Sequence, residues 1–302
     1  MIRALQQFVT VTAYELVDSF RSRWALVLLI LYLLGSIAST YGFIEVLHKV
    51  EVKVVESMGL TASKTPGSAT ETLWKSKQFE DIVTGLMDNN RTLAKKMLSA
   101  PPVALFYSWL SLTFVPLLII MISSSRISEE VSHASVRYVL FRTPRSTWCL
   151  GKWAGQSLLL LGALLLSAVG AWGVAVIRMR GFEPVAGAWA LLGFSFKTWI
   201  YGFAYLGLAL GVSQVFRSPV IATAVGLVGM IFLAVLSWVA EFRQSVTTNP
   251  IWPILLKCTP RGYKAGLRDT EWAQALPASV MLLVLGAVFF MAGYAVFARR
   301  DQ

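Results

Sequence analysis

The sequence predicts an all-α, polytopic integral membrane protein with six transmembrane helices and an N-terminal amphipathic interfacial helix. Two observations carry this expectation. Hydrophobic residues make up 56% of the 302-residue chain and charged residues 14%, against about 25% charged in a soluble domain. The charges are also clumped, leaving long uncharged stretches near the length of about 20 residues that a helix needs to cross a bilayer.

Residues 1–23 read as the interfacial helix. Leu5, Val9, Ala13, Leu16 and Phe20 recur at spacings of three and four and share one face, with Gln6, Gln7, Glu15 and Asp18 on others. The first span is 24–44, between Arg23 and Glu45. Residues 45–100 form an extracytoplasmic helical segment: one stretch continues from Glu45 to Met58, and a second, at 71–97, carries a stripe of Phe79, Ile82, Val83, Leu86 and Met87. The intervening TASKTPGSAT is a loop by its Ser, Thr, Pro and Gly content. The second span is 103–123, started by Pro101-Pro102 and carrying Pro116 inside it, which predicts a kink. After a polar segment at 124–152 come spans at 153–177, 198–216 and 220–240. A mixed segment at 241–271 and a sixth span at 272–298 follow. Together these form a single transmembrane unit, 1–302, with no separate soluble domain.

Six spans place both termini on one side. A raw count puts more Lys and Arg outside than inside if that side is cytoplasmic. Half of the outer ones, however, lie in the long 45–100 segment, whose charges weigh less in setting topology. With that segment set aside, the count favours cytoplasmic termini.

Composition and motifs exclude several functions. The net charge is +11, yet the basic residues are scattered over the span flanks rather than gathered in one stripe. They therefore suit anionic lipid head groups, and no nucleic acid partner is expected. No phosphate-binding loop is present: Gly151-Lys152 is followed by Trp153 and preceded at the required position by Ser146. His48 and His133 have no partner cluster in the sequence, so no metal, cofactor or catalytic residue is assigned. Cys149 and Cys258 make no disulfide framework, and no cleavable signal peptide is expected. The absence of charge in mid-span argues against ion-coupled transport. The pairs Gly151/Gly155 and Gly207/Gly211 and the glycines Gly226 and Gly229 are read as places where helices pack closely.

The segment 124–152 is the informative one. Ile127, Val131, Ala134, Tyr138 and Phe141 follow a 3, 4, 3, 4 spacing, which predicts one helix over 127–142. Ser124, Ser125 and Ser128 are candidate caps, and Glu129 and Glu130 suit the positive helix start. Arg142 suits the other end, and Thr143-Pro144 stops the helix. Spacing alone leaves open whether such a helix docks on a partner or lies on lipid.

The ordered set of features resembles the membrane subunits of ABC type-2 exporters. Those permeases carry an amphipathic elbow helix. After their second span come acidic residues, a short helix, a P-x-S-R pattern and a Gly-Lys that opens the third span. Here the matching residues are Glu129-Glu130, the helix through Phe141, Pro144-Arg145-Ser146 (a scrambled match) and Gly151-Lys152. Asn249-Pro250 and the ending Phe297-Ala298-Arg299-Arg300-Asp301 also fit. The usual Gly-Thr-Leu is replaced by His133-Ala134-Ser135-Val136.

The resemblance implies an exporter permease in the inner (cytoplasmic) membrane, with both termini cytoplasmic. It implies a separate nucleotide-binding ABC ATPase subunit as partner, and a second copy or a paralogous permease. The 127–142 helix would be the coupling helix that docks the ATPase, through Ile127, Glu129, Glu130, Val131, Ala134, Arg137, Tyr138, Phe141 and Arg142. Two other classes stand beside this one. A lipid-acting membrane enzyme would draw on Arg178, Arg180, Lys197, Glu241 and Arg243; the other is a non-transporting structural or sensory protein.

Overall fold

The computed structural model describes residues 2–57, 81, 83–85, 94, 100–246, 249–269 and 272–299. Among these, the regular elements are helical. We number them α1 (Ile2–Arg21), α2 (Arg23–Ser57), α3 (Pro102–Ser123), α4 (Arg126–Ser132), α5 (Ser135–Leu140), α6 (Arg145–Arg178), α7 (Pro184–Val215), α8 (Pro219–Val246), α9 (Ile251–Lys257), α10 (Lys264–Arg268) and α11 (Trp272–Ala298). A 3-10 turn, Pro260–Tyr263, links α9 to α10.

Among the described residues, five stretches are long and apolar enough to cross a membrane: Arg23–Lys53, Pro102–Ser132, Arg145–Arg178, Pro219–Gln244 and Trp272–Ala298. The expected span at 198–216 falls in α7, which is not among them. The reason lies in where α7 sits. It packs against α3, α6, α8 and α11. Its buried residues include Ser195, Thr198, Tyr201, Gly202, Tyr205, Gly207, Gly211, Ser213 and Gln214. A helix wrapped by other helices needs little lipid-facing apolar surface, so small and polar residues replace aliphatic ones.

Glycines set the closest approach in the bundle. A Cβ added to Gly207 would run into the Gly286 carbonyl, and one on Gly293 would run into that of Gly211. The backbones of α7 and α11 therefore touch directly. Aromatic rings fill in alongside, with Trp153 of α6 stacked on Phe290 of α11 at 4.7 Å between centroids. The apolar core is continuous from Leu112, Val115 and Ile119 of α3 through Tyr201, Ala204 and Leu210 of α7 to Leu282, Phe290 and Phe297 of α11.

The stretch Glu45–Met58 continues the first span as expected, since α2 runs unbroken for 35 residues to Ser57. Most of 58–99 lies outside the described residues, including Phe79, Ile82, Leu86 and Met87 of the expected stripe. Val83 is described and is buried in the same cluster as Ile44 and Leu47 of α2. Pro116 sits inside α3, and Pro277 inside α11. The segment after α8 folds back on the bundle. The side chains of Leu267 and Arg268 are buried, and Lys197 of α7 donates to the Asp269 carbonyl at 2.5 Å.

Candidate functional site

Helix α1 packs along α6 with its polar face inward. Thr12, Glu15 and Ser19 are buried, whereas Leu5, Val9, Tyr14, Val17 and Phe20 are exposed. The i, i+3, i+7 spacing of the buried set places it on one stripe. Gly151 and Gly155 of α6 make the approach possible. A Cβ at Gly155 would lie 2.8 Å from the Glu15 Cβ, and one at Gly151 would lie 2.6 Å from Val11. Of the stripe expected from the sequence, Leu5, Val9, Ala13 and Phe20 are exposed and Leu16 is half-buried against the bundle; the opposite face meets a buried network of charge.

That network centres on Lys152, one turn below Gln156 on the same face of α6. The Lys152 ammonium lies 2.5 Å from Glu15 and 2.6 Å from Glu130, with Lys152 2% exposed and Glu15 1%. It also sits over the Trp148 ring, 5.3 Å from its centroid. Gln156 donates to the other Glu15 oxygen at 2.6 Å and to the Ser19 hydroxyl, and accepts from Ser123 at 3.1 Å. One turn further along α1, Asp18 pairs with Arg126 at the start of α4. Charges this deep persist only when paired, because an isolated ion in an apolar medium is several kcal/mol less stable than in water. The network therefore fastens α1, α3, α4 and α6 to one another at a single point.

The segment between α3 and α6 is not the single helix 127–142 that its periodicity predicts. It is two short helices, α4 and α5, broken at Ala134, whose φ of 56° and ψ of 9° lie in the left-handed region. The local cause is serine chemistry. The Ser132 hydroxyl takes the Glu129 carbonyl at 2.7 Å and the Ser135 hydroxyl takes the Glu130 carbonyl at 3.1 Å. The Glu129 carbonyl keeps its ladder bond from the His133 amide, but the Glu130 carbonyl holds Ser135 while the Ala134 amide turns back to Val131, so the ladder breaks there. The candidate caps differ too. The Ser125 side chain makes no capping bond. Instead Ser213, reaching across from α7, accepts from the Ile127 and Ser128 amides, both at 3.0 Å.

This arrangement sorts the nine residues singled out from the sequence. Ile127 is fully buried in the bundle core and offers nothing to a partner. Val131 is half-buried against the same core. Glu130 is bound to Lys152, so it anchors the segment rather than standing at a free rim. Glu129, Ala134, Arg137 and Arg142 are exposed, and Tyr138 and Phe141 stand out at 79% and 87% exposure. Between α1 and α5 lies a cavity of about 690 Å³, lined by Val11, Tyr14, Glu15, Tyr138, Phe141 and Trp148 among others. Its wall is tied at the rim, where Gln7 donates to the Arg142 carbonyl at 2.7 Å.

Lys152 entered the sequence reading only within the Gly151-Lys152 match, and Glu15, Asp18, Arg126, Gln156 and Ser213 were assigned to no site. Two signals could have found three of them: the polar i, i+3, i+7 stripe on α1 carries Glu15, and Lys152 and Gln156 each follow a glycine of the Gly151/Gly155 pair; Asp18, Arg126 and Ser213 had no such signal. Four of the five groups that a lipid-acting enzyme would use, all but Arg180, are engaged in separate structural pairs. Arg178 binds Tyr41 and Glu45, Lys197 binds the Asp269 carbonyl, Glu241 pairs with Arg261, and Arg243 stacks on Trp252. Among the described residues no group of three or more His, Cys, Asp or Glu could hold a metal ion.

A family model described as ABC-2 family transporter protein matches residues 9–302. None of the curated proteins is significantly similar to the chain.

Proposed function

Because the chain belongs to the ABC-2 family of transporter proteins, we propose that it is the permease of an exporter whose ATPase docks on the segment between α3 and α6. Membership makes it a transport membrane component without catalytic chemistry of its own, with ATP hydrolysed in a separate subunit.

In this reading α7 is the fourth of six spans, and α1 lies in the interface with its apolar stripe in the lipid. Both termini and segment 124–152 face the cytoplasm across the inner membrane. A second copy, or a paralogous permease, completes the translocation path. Closure of the ATPase on ATP is felt first at α5, through its contacts in two states. The observation that carries the docking assignment is the exposure of Tyr138 and Phe141, flanked by Arg137 and Arg142. Large aromatics and arginines of this kind anchor protein interfaces. They stand here on a segment whose other side is fixed to the bundle by Glu130 and Ser213.

The reading is tested by purifying the tagged chain from native membranes in mild detergent. An ATPase with a phosphate-binding loop, identified by mass spectrometry and giving vanadate-sensitive turnover that the chain alone lacks, is the expected result. Turnover by the chain alone, in a preparation free of other ATPases, would overturn it.

A further inference from the structure

The first turn of α6 meets the far end of α11. Arg145, directly after Pro144, donates through Nη1 to the Ala298 carbonyl at 2.8 Å and reaches the Phe297 carbonyl at 3.4 Å. Its guanidinium lies 5.9 Å from the centre of the Phe297 ring, and Trp148, one turn along, stacks on that ring at 5.8 Å. Phe297 is fully buried. The last four carbonyls of a helix have no partner within it, and its C-terminal end carries partial negative charge. Arg145 answers both needs with one group.

We propose that Arg145 is a positioning residue that caps α11 and makes that helix follow the docking segment. The proposal deepens the permease reading and rests on it. Only Phe141, Arg142, Thr143 and Pro144 separate α5 from Arg145, and Pro144 holds φ at −57°, so displacement of α5 has little slack to be lost in. From α11 the displacement reaches α7, because the two helices touch backbone to backbone at Gly207, Gly211, Gly286 and Gly293. Ser213 ties α7 in turn to the start of α4. The docking segment, α7 and α11 thus form a closed loop of contacts. Arg145 is the link in it made by a side chain on the backbone carbonyls of Phe297 and Ala298.

Hydrogen–deuterium exchange on the full-length permease in lipid nanodiscs, alone and with its co-purified ATPase, tests this with Arg145→Gln and Arg145→Lys. Without nucleotide, exchange at 294–298 should rise about tenfold in Arg145→Gln, the effect of losing a charged hydrogen bond. Arg145→Lys, which keeps the charge and N–H donors but not the planar fork, should lie between that variant and wild type. With ATP and vanadate, wild type should respond at both 135–141 and 290–298. Arg145→Gln should keep the first response and lose the second, a split that a merely structural cap would not produce. Unchanged resting exchange in both variants would overturn the cap, and a response at 290–298 that survives in Arg145→Gln would overturn the coupling. No response at 135–141 in wild type would instead overturn the docking reading, and the coupling role with it.

Discussion

Lys152 holds Glu15 at 2.5 Å and so binds α6 to α1, while Glu130 at 2.6 Å brings α4 to the same ammonium. Removing the cation strands two carboxylates. Lys152→Met should lower stability by about 3–5 kcal/mol, the cost of breaking a buried ion pair from one side. Adding Glu15→Gln and Glu130→Gln should recover most of that loss, since no unpaired charge then remains. Thermal unfolding in detergent measures both steps. A triple variant no more stable than Lys152→Met would show that the network does not act through paired charge.

Gly155 sets how near α1 can come. Its missing side chain leaves room for the Glu15 stem, which a Cβ would meet at 2.8 Å. Gly155→Val should displace α1 and cost about 1–3 kcal/mol, as overpacking does. Hydrogen exchange over residues 2–21 should rise with it. Wild-type protection of α1 in this variant would contradict the packing described.

Ala134 holds a left-handed conformation that costs an L-residue about 1–2 kcal/mol. Ala134→Gly should relieve it and stabilise the joint between α4 and α5 by about 1 kcal/mol. Ala134→Val should weaken the joint instead. Exchange at 131–137 reads both directions. Opposite signs would mean that the continuous helix, not the broken one, is the stable form.

Cys149 is buried and Cys258 is exposed, and both are free. In the proposed topology they also lie on opposite sides of a core about 30 Å thick, so they never pair. An impermeant maleimide applied to intact cells should label Cys258 and spare Cys149. Labelling of Cys149 alone would invert the topology.

The spans were legible because uncharged length is a one-dimensional property. Arg23 and Arg178 stand at helix ends and Arg217 between two helices, where a count along the chain finds them, whereas Lys152 lies two turns inside α6. α7 was harder: its Tyr201, Tyr205 and glycines reflect contact with other helices, which a hydropathy average does not register. The stripe from Ile127 to Phe141 misled for a different reason. Its spacing of three and four continues across Ala134, but Ser135 bonds the Glu130 carbonyl that the Ala134 amide would need, and α4 ends there. The Lys152 network was hidden because Glu15, Asp18 and Ser19 lie more than a hundred positions from the residues they meet. Glu15 and Lys152 look like ordinary flank charges until α1 is laid on Gly151 and Gly155. Likewise Ser213 caps a helix that precedes it by 85 positions.

The central claim is that the ATPase docks on the exposed face of α5. Recovery of the ATPase with a Tyr138→Ala, Phe141→Ala permease tests it most directly. Each side chain is exposed, so the double variant should unfold at the wild-type temperature. Loss of two aromatic anchors, at about 2 kcal/mol or more each, should nevertheless reduce co-purified ATPase at least tenfold. Wild-type recovery of the ATPase with a correctly folded double variant would contradict the account.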